Sequence, residues 1–210
     1  IEAVNTARNY NVPVIILTDQ SIATRIEAFD EPDLKSVCQD ISPTFEAVAE
    51  HKPYDLNHQS GSPQHLPPGT RIASGKYPVI TGLEHDEVGH PTASPKLHVD
   101  MTAKRRNKLR DLAATLPTPD IYGPTEGNIL LVGWGSTMGP IREAVDRARK
   151  AGDSISATHI RHISPLPNGL EDIFSGFNHV FVVEMNDEGL YGYGQLATLL
   201  RSRYCDPKIR

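Results

Sequence analysis

Between Asn128 and Tyr204, short apolar runs alternate with stretches of helical periodicity, and this limits the folds open to the chain more than any other feature. Ile129-Leu130-Leu131-Val132 is unbroken by polar residues and ends in the turn Gly133-Trp134-Gly135-Ser136-Thr137. Ile141, Ala144, Val145 and Ala148 follow at the i, i+3, i+4, i+7 spacing of a helix face, which Gly152 closes as a left-handed cap would. Ile155–Ile160 reads as the next strand, Leu170–Phe174 as a short helix and Val180-Phe181-Val182-Val183 as another buried strand. Leu190, Tyr193, Ala197, Leu200 and Tyr204 form the stripe of a last helix. Strands this apolar have no face suited to water, so both faces need helices; the alternation predicts an α/β domain with a mainly parallel sheet and right-handed crossovers.

The rest of the chain is less regular. Residues 1–10 read as a helix with Ala3, Ala7 and Tyr10 on one face, ended by Asn11. Val12-Pro13-Val14-Ile15-Ile16-Leu17 reads as a strand buried on both faces, with Thr18-Asp19-Gln20 at its carboxyl end, where open α/β sheets bind ligands. From Phe29 to Pro124 prolines recur, among them Pro32, Pro43, Pro63, Pro67, Pro78 and Pro91. Each fixes φ and removes a donor, so only Asp100–Leu116 has room for a long helix. That helix would bury Met101, Leu109, Leu112, Ala113 and Leu116 and turn Lys104, Arg105, Arg106, Lys108 and Arg110 outward. The proline-rich remainder fits either an extended arm laid over a neighbour or a plain linker.

Bulk properties remove several classes of function. A net charge of −5 and the absence of aromatic platforms beside the basic helix argue against nucleic acid as a partner. No run approaches the roughly 18 apolar residues of a membrane span, and no secretory signal is recognisable. Two cysteines, Cys38 and Cys205, without ligand spacing point to a reducing, cytoplasmic setting and no structural metal. The chain starts at Ile1 as if inside a helix and stops at Arg210 where a strand could begin, so it reads as a segment of something longer.

Four places could carry chemistry. Gly133, Gly135 and Gly139 follow a strand and open a helix, as phosphate-cradling glycines do, but the third falls one residue late for a dinucleotide site, which favours a structural turn. His85, Asp86, Glu87 and His90 offer metal-ligand chemistry at a spacing that matches no helix-borne motif; a polar contact surface is the competing assignment. His159, Arg161 and His162 at a strand end could meet an anion or simply feed the loop Ser164-Pro165-Leu166-Pro167. Glu184 and Asn186 end the last strand, where an acid can transfer a proton or cap the next helix. Ser136, Ser164 and Ser175 lack a hydrolase elbow.

Taken together, Val12–Gln20, Tyr77–Gly89 with its core Gly82-Leu83-Glu84-His85-Asp86-Glu87, Lys104–Leu109, Val182–Asn186 and Gly194-Gln195-Leu196 resemble the alpha subunit of 2-oxoacid:ferredoxin oxidoreductases, most closely its 2-oxoglutarate branch. The resemblance implies the end of a pyrimidine-side thiamine domain at 1–30, a proline-rich connecting arm at 31–125 and a transketolase C-terminal-like domain at 126–210. It also implies oxidative decarboxylation of a 2-oxoacid to an acyl-coenzyme A with ferredoxin as acceptor. Thiamine diphosphate, magnesium and an iron–sulfur cluster would belong to the complete complex, with the diphosphate half and the cluster on a beta subunit.

The sequence departs from a complete alpha subunit. The family's activating glutamate and its Tyr-Pro-Ile-Thr-Pro string are missing, and Tyr77-Pro78-Val79-Ile80-Thr81 echoes that string in the wrong place. No catalytic, cofactor-binding or metal residue is therefore carried over, and no cofactor is expected on this segment alone. Interface or anion-contact candidates are Asp19, Gln20, His85, Asp86, Glu87, Arg161, Glu184 and Asn186. Another transketolase-like thiamine enzyme component and a non-enzymatic anion-binding or assembly module are the alternatives.

Overall fold

The computed structural model describes residues 1–38, 50–57, 66, 68–73, 75, 77 and 79–210. Pro43, Pro63, Pro67 and Pro78, which argued for an arm, lie outside these residues. The chain divides into two compact units, one of residues 1–16 and 27–112, the other of residues 17–26 and 113–210.

In the first unit, helix α1 (Glu2–Tyr10) stops at Asn11, whose φ of 47° is left-handed and whose N–H returns to the Ala7 carbonyl. Helix α2 (Gln20–Thr24) counts with the second unit, and α3 (Leu34–Val37) is a single turn. The helix expected over 100–116 starts earlier, as α4 (Pro95–Thr115). Pro95 suits a first turn because no intrahelical bond asks for its missing N–H. The expected faces of α4 need correcting. Met101 and Leu112 are buried, but Leu109 is 42% exposed, and Lys104 and Lys108 are half-buried instead of outward. Lys104 Nζ stands 6.0 Å from the centre of the Tyr54 ring, and Lys108 Nζ donates to the Asn11 carbonyl at 2.8 Å. Long alkyl stems let lysine cover apolar surface while its charge finds a partner at the rim, which a count of charges along a helix does not register. Burial, aided by the Lys108 charge, lowers the Lys104 amine to about 8.

The buried strand expected at Val12–Leu17 does not form. Among the described residues no strand pairs with this run, and Ile15 and Ile16 are 81% and 72% exposed. A β-branched composition suits a strand, but a strand also needs a ladder, and the described residues contain none for this run.

The second unit is built on a four-stranded sheet in the order β1-β3-β2-β4. The strands are β1 (Ile121–Tyr122), β2 (Gly127–Gly133), β3 (Ile155–His159) and β4 (Phe177–Val183). β2 runs parallel to β3 and β4, while β1 is antiparallel to β3, so the α/β, mainly parallel expectation holds. Beyond β4 the tail pairs in turn: Val180 N–H donates to the Lys208 carbonyl, and Arg210 N–H donates to the Val180 carbonyl at 2.9 Å.

Helix α5 (Met138–Lys150) covers one face of this sheet, where Ile141 and Val145 pack on Ala157 with Tyr122, Leu131 and Ile155 around them. Helices α6 (Leu170–Ser175) and α7 (Gln195–Tyr204) belong to the other face, where Leu130, Val132, Phe174, Val180, Leu200 and Ile209 form the main core. Complete burial of one such side chain contributes about 1.5–3 kcal/mol before entropy is counted. Ser156 and Thr158 are buried polar residues, and both are satisfied: Ser156 Oγ donates to the Pro124 carbonyl and Thr158 Oγ1 to that of Asp120. The last helix starts later than its stripe suggested. Leu190 lies in a short 3-10 turn (Gly189–Tyr191) and is 98% exposed. Gly192 adopts a left-handed φ of 69°, which ends that turn before the helix begins.

Candidate functional site

The carboxyl ends of β2, β3 and β4 gather most of the candidates in the second unit. At the end of β2 the chain turns through Gly135, at a φ of +61°, into a 3-10 turn (Gly135–Thr137) and then α5. Thr137 Oγ1 accepts from the Trp134 N–H at 3.1 Å and donates to the Trp134 carbonyl at 2.7 Å. Asp19 reaches the same turn. Its Oδ2 accepts from the Ser136 N–H at 3.0 Å, and its Oδ1 caps α2 through the Ile22 N–H at 2.9 Å. A carboxylate thus takes the amide that a bound phosphate would need, which decides the glycine turn in favour of structure.

Those bonds hold the Asp19 carboxyl below its ordinary value, the Ser136 hydroxyl most, then the Ile22 and Ser136 amides. A lowered folded pKa adds stability that is complete above the unfolded value of 3.8 and lost as pH falls through the folded one. Asp19→Asn is therefore expected to melt below the parent at neutral pH and to match it in strong acid. Thermal melts across that range check this; an equal gap at every pH would contradict it.

At the end of β4, Glu184 accepts from the Leu196 and Ala197 N–H groups, both at 3.0 Å, and from Asn186 Nδ2 at 3.1 Å. It caps α7, as the second of its two sequence readings held, and Asn186 steadies it. Capping suits this end because the first amides of a helix have no internal acceptors and its dipole favours a negative charge.

At the end of β3, His159 and Arg161 join His162, Arg142, Met138 and Tyr122 around a cavity of about 350 Å3. Arg142 lies over the Tyr122 ring, 5.0 Å from its centre. Tyr122 donates its hydroxyl to Asp146 at 2.9 Å, which raises the phenol pKa. His159 Nδ1 is sealed from solvent and has no hydrogen-bond partner. Burial first, then the Arg142 charge, lowers the pKa of His159. The sequence singled out His159, Arg161 and His162 but missed Arg142, which reaches the cavity from a helix that had been read only for its apolar face.

In the first unit, His85 is 8% exposed, its ring 3.7 Å from that of Tyr54, and its Nδ1 meets the Asp86 carbonyl at 2.8 Å. Asp86 closes a turn by accepting from the Val88 and His90 N–H groups. Glu87 accepts from the Leu56 N–H at 3.0 Å and lies 3.6 Å from Lys52 Nζ. Glu84 accepts from Arg105, and its carboxylate lies 2.5 Å from His98 Nδ1. The Arg105 bond first, then His98, lowers Glu84 to about 2. Among the described residues no grouping of three His, Cys, Asp or Glu could hold a metal ion. Gln20 is exposed in the first turn of α2, where its carbonyl accepts from the Thr24 hydroxyl.

Comparison with known proteins agrees with this architecture. Residues 127–209 match the model of pyruvate:ferredoxin oxidoreductase core domain II. The chain is 33% identical over 97% of its length to 2-oxoglutarate oxidoreductase subunit KorA of Mycobacterium tuberculosis, and covers 30% of that protein. It is 32% identical over 96% of its length to the alpha subunit of 2-oxoacid:ferredoxin oxidoreductase 2 of Aeropyrum pernix, and covers 31% of it. In structure it resembles 2-oxoglutarate:ferredoxin oxidoreductase of Magnetococcus marinus, determined with 2-oxoglutarate, coenzyme A and succinyl-CoA bound. The TM-score is 0.82 at 28% identity, over 96% of this chain and 34% of that one. The chain thus spans about a third of the length of these relatives, and over nearly its whole length it is similar to that part of 2-oxoacid:ferredoxin oxidoreductase alpha subunits.

Proposed function

We propose that the chain is a framework and subunit-contact segment of a thiamine-diphosphate-dependent oxidoreductase that converts 2-oxoglutarate and coenzyme A to succinyl-coenzyme A. In that reaction carbon dioxide leaves and two electrons pass to ferredoxin. The observation that carries this reading is the 33% identity to a 2-oxoglutarate oxidoreductase subunit across nearly the whole chain. A beta subunit with the diphosphate half and the cluster completes the assembly, and the setting is cytoplasmic. No helix among the described residues is long and apolar enough to cross a membrane.

Neither the cysteine count nor the two strand-end acids of this chain fit the cofactors of that reaction. Two cysteines in the whole sequence fall short of the four thiolates an iron–sulfur cluster takes. Asp19 and Glu184, the acids at the sheet's carboxyl edge, are committed to backbone amides. We therefore derive no chemical step from this segment. Its contribution is to hold strand ends and helix starts in fixed relation, as a site built elsewhere requires.

Two measurements on the intact protein, purified with whatever accompanies it, test the reading. Coenzyme A-dependent reduction of a viologen dye should proceed with 2-oxoglutarate in preference to pyruvate. Asp19→Asn and Glu184→Gln should lower the melting temperature and leave the affinity for thiamine diphosphate unchanged. Failure of the dye assay would refute the reaction; loss of cofactor binding in a folded variant would refute the framework role.

A further inference from the structure

We propose that the cleft between α5, β1 and the carboxyl end of β3 is a binding site for a small organic anion, one with a phosphate or carboxylate head and an apolar body. The chain leaves β2 for α5 on one face of the sheet and leaves β3 for α6 on the other. Neighbouring parallel strands whose connections diverge in this way open a crevice at their carboxyl ends, where α/β sheets take ligands. Gly133 and His159 are register partners at that point. A Cβ on Gly133 would stand 2.4 Å from Ile141 Cδ1 and 2.7 Å from Thr137 Oγ1, so that point is filled, and the open space lies beside it, against β1 and α5.

The lining suits an amphipathic anion. Met138, Ile141 and Ala157 give an apolar wall, and Arg142, Arg161 and His162 bring cationic or proton-donating groups to the same cavity. Asp120 is the one carboxylate among the described residues that line it. Arg142 lies over an aromatic ring and not against a carboxylate: Asp146, one turn along the helix, accepts from Tyr122, whereas Arg147 on the same helix is paired with Glu143 at 2.8 Å. A ring face leaves the guanidinium edge with N–H donors in a planar fork, the geometry that phosphate and carboxylate accept. The volume of about 350 Å3 lies at the lower end of small-molecule sites. This inference does not depend on the reaction proposed above, because it rests on the second unit's own residues.

Arginine labelling with phenylglyoxal, read peptide by peptide by mass spectrometry on the intact protein, tests it at the site itself. Inorganic phosphate and glutarate are the two probes. At roughly ten times its dissociation constant, the binding probe should slow labelling of Arg142 and Arg161 about tenfold, the ratio set by occupancy. Arg147 and Arg149 should label at unchanged rates. Protection by phosphate alone assigns a phosphoryl head, protection by glutarate alone a carboxylate head. In Arg142→Gln the concentration that protects Arg161 should rise about tenfold, as the loss of one charge-assisted contact implies. Unprotected Arg142 and Arg161, equal slowing of all four arginines, or an unmoved midpoint in Arg142→Gln would each overturn the proposal.

Discussion

Replacing Gly194 with alanine is expected to destabilise the second unit by about 2–4 kcal/mol, the loss of two charge-assisted capping bonds. Gly194 has φ −61° and ψ 168°, ordinary extended values that alanine adopts without strain. The obstacle is the neighbour. A Cβ there would lie only 2.7 Å from Glu184 Cγ and nearer still to its carboxylate. The acid must swing away, leaving the Leu196 and Ala197 amides without an acceptor. A double-mutant cycle isolates this cause. With Glu184→Ala already in place, Gly194→Ala should cost almost nothing, because the group it displaces is gone. Denaturant midpoints of the four proteins measure the coupling, and additive penalties would show that the cap is not the reason for the glycine.

Gly89→Ala is expected to cost at least about 3 kcal/mol, the sum of a left-handed backbone penalty and a clash without a flexible partner. Gly89 has a φ of +93°, and a Cβ would stand 2.2 Å from the Val79 carbonyl oxygen and 2.9 Å from its carbon. Backbone cannot rotate aside as a side chain can. The turn from Glu84 to Thr92 must open, breaking the Asp86–His90 and Glu84–Thr92 backbone bonds. With it go the stacking of His85 on Tyr54 and the hold of Glu87 on the Tyr54 and Leu56 amides. Hydrogen exchange over residues 52–57 and 84–92 should accelerate together. Unchanged protection in both segments would contradict this account.

The parts of the fold legible in the sequence are those set by local periodicity. Ile129–Val132, Ile141–Val145 and Val180–Val183 are strand, helix and strand because their apolar spacing admits little else. Asn11 and Gly152 stop helices where left-handed φ values of 47° and 99° are needed. What failed depends on partners distant in sequence. Val12–Leu17 has the composition of a buried strand, yet nothing among the described residues pairs with it. β1 is only two residues long and sits between prolines, too short for any period to reveal. Lys104 reads as solvated until Tyr54 is placed under it.

The site divides along the same line. Glu184 as a cap was legible, because an acid at a strand end just ahead of a helix has amides within reach. Asp19 was placed at a ligand-binding edge but serves a turn 117 positions away, a pairing no local pattern discloses. The cleft was half visible: His159, Arg161 and His162 stand together in sequence, and Arg142 joins them only when α5 lies across the sheet.

The short pairings at both margins of the sheet have a consequence for assembly. On one side lies the two-residue β1, and on the other the tail around Ile209, itself fully buried. At the β1 rim two residues leave no run of free amides and carbonyls long enough to template a foreign strand. A chain approaching that rim meets a stub instead of a template, which limits sideways growth of the sheet there.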